Sequence, residues 1–285
     1  MLDRILKSYQ KEIEDFPRTG VYSSSGLWRG AEKPYDYLEH RLKNFGSDPI
    51  SDGLSLFKDE MNRERIIRYV NLWKRLTGLD FSILNYPSKF GLRTIRLDDS
   101  LTTISTAPRF AYYAQRISEL VKDGVIEIGG SFGAVPFHLF RDFNYQGTYC
   151  GFDLPHSLLL AKYFLTQMFP EKTFRFYGEN KPADIYLLPH YEMPNCKNAD
   201  LVFNAHSLSE MGREQIEEYV KQIGRLDPNY FLHFNHEMQT TKEGETLPDQ
   251  INLSELPIPM KKIGKWFEIF SGDDQLDYFE YLYAK

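Results

Sequence analysis

Val125-Ile-Glu-Ile-Gly-Gly-Ser-Phe-Gly133 is the stretch of the sequence that decides the fold. Its first four residues have the pattern of a buried strand, and its glycines predict a tight turn that leads into a helix. A second strand is predicted over 148–152 and is followed directly by Asp153. A turn after one strand and an acid at the tip of the next is how an α/β sheet holds an adenosine-containing ligand.

The composition is that of an ordinary globular protein, with 42% hydrophobic and 26% charged residues in a chain of 285. A net charge of −6 and the lack of a Lys/Arg run argue against a nucleic-acid partner. No apolar run approaches the ~20 residues of a membrane span, and the N-terminus lacks a signal-peptide pattern, so we expect no membrane partner. The two cysteines, Cys150 and Cys196, favour a reducing, cytoplasmic setting without a disulfide or zinc framework.

Strand and helix patterns alternate from residue 124 to residue 235. Strands are predicted at 124–128, 148–152, 173–177, 184–188, 199–205 and 230–235, with helices at 134–143, 157–169 and 212–226. This alternation predicts right-handed crossovers and a mostly parallel sheet covered by helices. Two further strand-like runs, 265–270 and 276–283, are joined by Ser271-Gly-Asp-Asp274 and predict a C-terminal antiparallel hairpin. The expected fold class is therefore α/β, with a Rossmann-like sheet that ends in an antiparallel hairpin.

The region before this sheet shows helix patterns, at 3–16, 34–45, 62–76 and 108–122. We predict two domains: a mainly helical region over 1–117 that acts as a lid or substrate region, and a ligand-binding catalytic domain over 118–285. Trp28, Arg109 and Tyr113 are candidates to line the substrate side of the site.

The glycine-rich turn distinguishes between two kinds of adenosine ligand. Counted from Gly129, the dinucleotide fingerprint G-x-G-x-x-G fails at Ser131 and is weakened at Ala134. Counted from Glu127, the stretch reads E-x-G-x-S-x-G and ends at Gly133, close to the E/D-x-G-x-G-x-G pattern of methyltransferases that use S-adenosylmethionine. An acid suits a ligand that carries an ammonium and a sulfonium group. The competing interpretation is a tight turn of the kind found in any α/β protein.

Asp153 strengthens the ligand-binding interpretation. A carboxylate at the end of the second strand can accept hydrogen bonds from both ribose hydroxyls. The alternative is that Asp153 caps the next helix, although Ser157 is also available as a cap.

Four pieces of the sequence resemble sugar O-methyltransferases from bacterial polysaccharide and secondary-metabolite gene clusters, a class I family that uses S-adenosylmethionine. The pieces are Glu127–Gly133, Asp153-Leu-Pro155, Leu188-Pro-His-Tyr191 and Asn204-Ala-His-Ser-Leu-Ser-Glu-Met211. The resemblance covers roughly residues 105–240, and Ser131 departs from the family's middle glycine. It implies that Gly130, Leu154, His190 and Asn204 also contact the cofactor, with His190 beside the adenosine.

The block 204–211 lies where a buried strand is predicted to end, which is the edge where α/β sheets bind ligands. Methyl transfer to a hydroxyl group needs in-line placement and a base that takes the proton. His206 is the first candidate for this base, and Glu210 either orients His206 or takes the proton itself. His236, followed by Glu237, offers a second pair. The competing interpretation of His206 is a satisfied polar residue at a helix start.

Metal binding is not predicted. His233-x-x-His236 has the spacing of zinc ligands on a helix, but residues three apart on a strand face opposite sides. A divalent ion held by carboxylates stays open as an alternative, while Asp273-Asp274 is typical of a solvated turn.

These features predict an S-adenosylmethionine-dependent O-methyltransferase that acts on a sugar or a glycosylated small molecule, and they are compatible with a homo-oligomer. Two other functions fit the sequence less well. One is a nicotinamide-dependent sugar-modifying oxidoreductase, and the other is a non-catalytic methyltransferase-like scaffold subunit.

Overall fold

The computed structural model describes residues 1–23, 42–47, 63–237, 256–270 and 278–285. Trp28, Asp273-Asp274 and most of the predicted helix over 34–45 lie outside the described residues. No helix in the described ranges is long and apolar enough to cross a bilayer.

Two sheets are present among the described residues. The strands are β1 (Ile95–Arg96), β2 (Thr102–Thr103), β3 (Val125–Ile128), β4 (Tyr149–Asp153), β5 (Phe174–Phe176), β6 (Ile185–Pro189), β7 (Leu201–Ala205), β8 (Tyr230–His236), β9 (Lys261–Phe267) and β10 (Tyr278–Ala284). Strands β1 and β2 pair with each other, and the other eight form one sheet in the order β5-β6-β4-β3-β7-β8-β10-β9.

Strand β3 lies at the point where the direction of sheet building reverses. The chain adds β4, β5 and β6 on one side of β3 and then β7 and β8 on the other, and all these pairings are parallel. Every residue of β3 is buried, as expected for a strand covered on both faces. The carboxyl ends of β3, β4 and β7 therefore form the edge at which open α/β sheets bind ligands.

The C-terminal hairpin is antiparallel: β10 pairs with β8 on one side and with β9 on the other. The predicted Rossmann-like, mostly parallel sheet with an antiparallel C-terminal hairpin is confirmed. The predicted bounds of β9 were too late, because its first residues, Lys261 and Lys262, are charged and gave no strand pattern. The register between β9 and β10 shifts at Leu282/Tyr283, which is a bulge.

The α-helices differ in how many of their faces they bury. They are α1 (Leu2–Glu14), α2 (Arg63–Thr77), α3 (Ala107–Leu120), α4 (Ala134–Asp142), α5 (Pro155–Met168) and α6 (Arg213–Leu226). Helix α6 buries one stripe that includes Ile216, Val220 and Ile223, and it exposes charged residues on its other side. Helix α5 is buried along nearly its whole length, and among its buried residues is the charged Lys162.

A buried ion pair attaches α1 to α5. Lys162 of α5 donates to the Glu12 carboxylate and, at 3.1 Å, to the Ser8 hydroxyl, and the ion-paired side chains are fully buried. Burial raises the pKa of Glu12 and lowers that of Lys162, against their mutual attraction. At the exposed end of α1, Arg4 pairs with Glu179. The N-terminal helix α1 therefore packs with α5 beside the large sheet.

The described residues fall into two compact units. One takes its residues from Met1–Pro34, Leu120–Phe132 and Gln146–Lys285, and the other from Tyr35–Glu119 and Gly133–Tyr145. This division differs from the boundary predicted at residue 117: α1 joins the sheet unit through its ion pair with α5, and α4 joins the second unit. Within the second unit, Arg141 of α4 donates to the Asn85 carbonyl at 2.6 Å, and His138 contacts the Tyr86 hydroxyl at 3.0 Å. A lid or substrate role for the helical region stays a prediction.

We expect Lys162→Met to lower the free energy of unfolding by about 3–5 kcal/mol, because it leaves Glu12 buried without its cation. Urea unfolding followed by circular dichroism measures this loss. The matched control is Lys11→Met, on the same helix as Glu12. It removes an exposed pair with Asp15 and should change stability little. The double variant Glu12→Leu/Lys162→Met should recover most of the loss. An unchanged midpoint for Lys162→Met would contradict the role given to the pair.

Candidate functional site

The carboxyl ends of three adjacent strands bring the candidate residues together. Ile128 at the end of β3 is in register with Phe152 of β4 and with Asn204 of β7. The chain then continues into the glycine-rich turn, Asp153 and His206, respectively. The first, second and fourth pieces quoted from the sequence thus share one edge of the sheet.

The turn after β3 depends on a glycine at its first position. Gly129 has φ +77°, and a Cβ there would overlap the Ser207 hydroxyl, which follows β7. Only glycine satisfies both constraints. Gly133, with φ +89°, occupies the N-cap position of α4.

Ser131 occupies the position where the methyltransferase pattern has its middle glycine. Its φ is +52°, in the left-handed region that glycine adopts freely and serine adopts at a cost. Its N–H donates to Asp153 Oδ2 at 2.7 Å, and this bond holds the unusual conformation. The serine therefore keeps the shape of the glycine turn and links the turn to β4.

Asp153 is partly exposed and accepts a second hydrogen bond, from the Leu154 N–H at 2.7 Å. Burial raises the pKa of Asp153 to about 7, against the hydrogen bonds from Leu154 and Ser131, and the charge of Glu210 raises it further. Leu154, not Asp153, occupies the N-cap position of α5. Because a carboxylate offers about four acceptor positions, Asp153 keeps capacity for a ligand hydroxyl.

Glu127 lies beneath the turn. It is 2% exposed, and its carboxylate accepts a hydrogen bond from the Tyr149 hydroxyl. A Cβ on Gly130 would lie 3.2 Å from Glu127 Oε2, so the acid packs against the backbone of the turn. Burial raises the pKa of Glu127 to about 8. Contact between Glu127 and a ligand's ammonium group stays a prediction; in the structure this acid packs against the turn.

Asn204 joins β7 to its neighbours. Its amide donates to the Ile128 carbonyl at 2.7 Å and to the Ser207 hydroxyl. Its carbonyl accepts from Asn235 at 2.8 Å and, more weakly, from the Leu208 N–H at 3.4 Å. The side chain is fully buried and has no hydrogen-bonding capacity left for a cofactor, because four groups of the protein use it. Asn235 was not predicted from the sequence as part of this network. The signal in the sequence was a polar Asn near the end of an otherwise apolar strand.

His206 follows β7 with φ +63°, a second non-glycine residue in the left-handed region at this edge. Its N–H donates to the Phe234 carbonyl at 2.7 Å. Its ring lies 4.8 Å from the ring of Tyr278, measured between centroids, and the imidazole is partly exposed. Sequence reasoning missed Tyr278, which is the first residue of β10. Strained residues cluster at functional sites, so the conformations of Ser131 and His206 are consistent with a site at this edge.

The other predicted catalytic residues lie around this edge. Glu210 ends a short 3₁₀ turn, is partly exposed, and acts electrostatically on Asp153. The His236 backbone pairs with Tyr278 at the end of β8, and its side chain lies outside what the structure describes. The Glu237 carboxylate accepts hydrogen bonds from Lys265 and from Tyr281.

His190 lies beside Asp153, because Pro189 is in register with Asp153 on the neighbouring strand. Its Nε2 contacts the Tyr22 carbonyl at 2.8 Å, and its ring lies 5.5 Å from that of Phe16. Burial lowers the pKa of His190 to about 4, so the ring is neutral at pH 7. Sequence reasoning did not foresee that Phe16 and Tyr22, far away in the chain, would surround it.

The predicted substrate-binding residues are distributed differently. Arg109 and Tyr113 both belong to α3 in the second unit. Arg109 is partly exposed, but Tyr113 is fully buried with Ala111 and Ala114. A substrate contact for Tyr113 is therefore at odds with its place in the core. The sequence pattern identified the apolar face of α3, but it did not show which residues pack against that face.

Within the described ranges, no group of three or more His, Cys, Asp or Glu side chains is arranged to hold a metal ion. His233 is fully buried and its ring stacks on that of Tyr281, with centroids 4.7 Å apart. Burial lowers the pKa of His233 to about 3.

No protein-family model matches the sequence, and no curated protein does either. Solved structures with a similar arrangement include a SAM-dependent methyltransferase from Aquifex aeolicus (11% identity, TM-score 0.42, 60% of this chain and 87% of that chain). Another is the glycopeptide N-methyltransferase MtfA in complex with S-adenosylmethionine (14%, 0.41, 61% and 86%). A third is the methyltransferase domain of bacterial CtHen1-C (12%, 0.46, 62% and 96%). Similarities this distant carry no argument about the activity of this protein.

We expect Gly129→Ala to destabilise the protein by more than the ~1–2 kcal/mol that a left-handed alanine costs by itself, because its Cβ also meets Ser207. The matched control is Gly20→Ala: Gly20 has φ +84° with nothing within 4 Å of an added Cβ. Urea unfolding of both variants separates the backbone cost from the steric cost. Equal losses would show that the turn does not pack against Ser207 as described.

Proposed function

We propose that the protein is an S-adenosylmethionine-dependent O-methyltransferase that transfers a methyl group to a hydroxyl of a sugar or glycosylated small molecule. The observation that carries this proposal is the shared edge at the carboxyl ends of β3, β4 and β7. There, the Ser131 N–H bonds to Asp153, and His206 leaves the adjacent strand. The resemblance of four sequence pieces to sugar O-methyltransferases supports the acceptor class.

The charge at this edge suits a cationic cofactor. Three acids, Glu127, Asp153 and Glu210, surround the turn, and each of the first two has its pKa raised towards neutrality. A pyrophosphate placed here would favour the protonated, neutral form of these acids and would find no charge partner in them. A ligand with a sulfonium and an ammonium group would favour their ionised form. The same reasoning weighs against the nicotinamide-dependent oxidoreductase, as does the failed glycine fingerprint.

The chain offers a partner for each polar part of that cofactor. Asp153 would accept the ribose hydroxyls, and the backbone of Gly129–Ser131 would lie against the methionine portion. The pocket wall formed by His190, Phe16 and Tyr22 beside Asp153 would border the adenine ring. When bound, the cofactor supplies an electrophilic methyl group. Leu154 contributes its backbone, which already holds the Asp153 carboxylate in place.

His206 would take the proton of the acceptor. The bound cofactor would supply the methyl group for the acceptor oxygen and would keep the electron pair of the carbon–sulfur bond. An imidazole nitrogen of His206 would receive the hydroxyl proton. The backbone N–H bond to the Phe234 carbonyl holds the main chain of His206, and the contact with the Tyr278 ring orients the imidazole. In-line placement of acceptor oxygen and methyl carbon then supplies much of the acceleration.

Calorimetry with S-adenosylhomocysteine tests cofactor binding directly. We expect binding in the micromolar range at pH 8, whereas no binding at millimolar ligand would contradict the proposal. Nicotinamide cofactors should not bind under the same conditions. Binding of S-adenosylhomocysteine without methyl transfer to any of a broad acceptor panel would favour the scaffold alternative.

The affinity for S-adenosylhomocysteine should increase from pH 6 to pH 8. The pKa of Asp153 is raised to about 7, and a ligand that donates hydroxyl groups favours the ionised carboxylate. Below that pKa, the dissociation constant should rise by up to about tenfold per pH unit. Asp153→Asn should bind more weakly and lose this pH dependence. Asp184→Asn, at the start of β6 and therefore at the opposite edge, should keep both. A flat profile for the natural protein would contradict the role of Asp153.

His206→Asn should keep the affinity for S-adenosylhomocysteine but lose about 10²–10⁴-fold in turnover on a true acceptor, the usual contribution of a general base. Asparagine is chosen because it tolerates the left-handed conformation of this position. Radiolabelled methyl transfer to a panel of sugars and glycosides provides the readout. Full activity in this variant would place the base elsewhere, with Glu210→Gln and His236→Asn as the next variants to compare.

A further inference from the structure

An exposed apolar and basic strip runs along one edge of the large sheet. This β9 strip is the segment Lys261–Ile269. Among the described residues, large hydrophobic side chains that are exposed are concentrated here: Ile263 (49%), Trp266 (47%), Phe267 (67%) and Ile269 (41%), against only Met1 and Leu76 elsewhere. Exposed apolar residues grouped in this way mark an interaction surface.

The β9 strip is basic in a protein that is acidic overall. Lys261, Lys262 and Lys265 are all exposed, and no acid interrupts the strand between them. Lys265 pairs with Glu237, while no ion pair involves Lys261 or Lys262 within the described ranges. The net charge of the whole chain is −6, so this strip reverses the prevailing sign.

The backbone of β9 is poorly suited to pairing with another strand. It is the outermost described strand on its side of the sheet, but its register with β10 is shifted by a bulge at Leu282/Tyr283. Bulges and lysines on an edge strand are the devices that prevent strand addition. A partner of this strip must therefore use the side chains, not the backbone ladder.

We propose that the β9 strip docks the protein on the surface of an anionic lipid bilayer. Apolar and aromatic side chains enter the interfacial layer, tryptophan prefers that layer, and lysines pair with anionic headgroups. This combination needs no backbone pairing. The expectation of no membrane partner rested on the lack of an apolar span, and a peripheral contact requires none.

The position of the strip relates it to the ligand-binding edge. Phe267 pairs with Phe279, which pairs with Asn235 at the end of β8, next to the strand that leads into His206. The end of β9 is thus three strand spacings, about 14 Å, from β7. The docking proposal stands independently of the proposed activity, since it uses none of the residues assigned to cofactor or base.

Co-sedimentation with vesicles tests the docking. The full chain should bind vesicles of phosphatidylcholine with 30% phosphatidylserine, bind pure phosphatidylcholine much more weakly, and be released by high salt. Lys261→Gln/Lys262→Gln should weaken the partition constant about 30-fold, which corresponds to about 1 kcal/mol per lysine. The matched control Lys7→Gln/Lys197→Gln removes the same charge at exposed positions outside the strip and should change it little.

The apolar contribution is tested separately. Phe267→Ser should weaken binding at least tenfold without unfolding the protein, because the side chain is exposed. Leu76→Ser, at an exposed position of α2, should have no effect. Quenching by brominated lipid should be lost in Trp266→Phe. Failure of the natural chain to bind anionic vesicles would overturn the proposal. Equal vesicle binding by the strip variants and the control variants would also overturn it. So would a protein that does not bind vesicles but forms a dimer, if the strip variants dissociate that dimer.

Discussion

The hydrogen bond from the Ser131 amide to the Asp153 carboxylate joins the turn after β3 to the tip of β4. It holds a serine in a backbone conformation that normally requires glycine, and it orients the Asp153 carboxylate at the tip of β4. From below, Glu127 and Tyr149 support the same turn, and from the side Gly129 packs on Ser207. Residues of β3 and β4 and the segment after β7 thus fix the shape of the turn together. The N–H groups of the turn and the Asp153 carboxylate cannot move independently of one another.

This construction places two acids side by side in a poorly solvated place. Glu127 and Asp153 each have a raised pKa because burial penalises the ionised form. Folding alone gains nothing from two such acids, since neither pairs with a cation among the described residues at this edge. Under the proposed function, a bound cation would favour the ionised form of these acids, and a pyrophosphate would not.

The parallel strands, the glycine turn and the position of Asp153 were predictable, because hydrophobic periodicity marks buried strands and parallel strands end at a common edge. The partners of buried polar groups were not. An acidic residue near the end of a strand has the same sequence pattern whether it binds a ligand or supports a turn. The sequence alone could not distinguish these two roles for Glu127, and contact with the ligand was expected. Asn204 was likewise expected to bind the cofactor, whereas its amide joins β3, β7 and β8. The burial of Tyr113 depends on packing between distant segments, which no local pattern contains.

The ion pair between Glu12 and Lys162 has a consequence for the synthesis of the chain. The two residues are separated by 150 positions, and α1 packs against segments made much later, α5 among them. During translation, therefore, these partners of α1 are not available until α5 and the strands after it have been made. Contacts of such long sequence separation form slowly because a large loop has to close first. The step that completes the sheet unit is thus the packing of α1 onto α5.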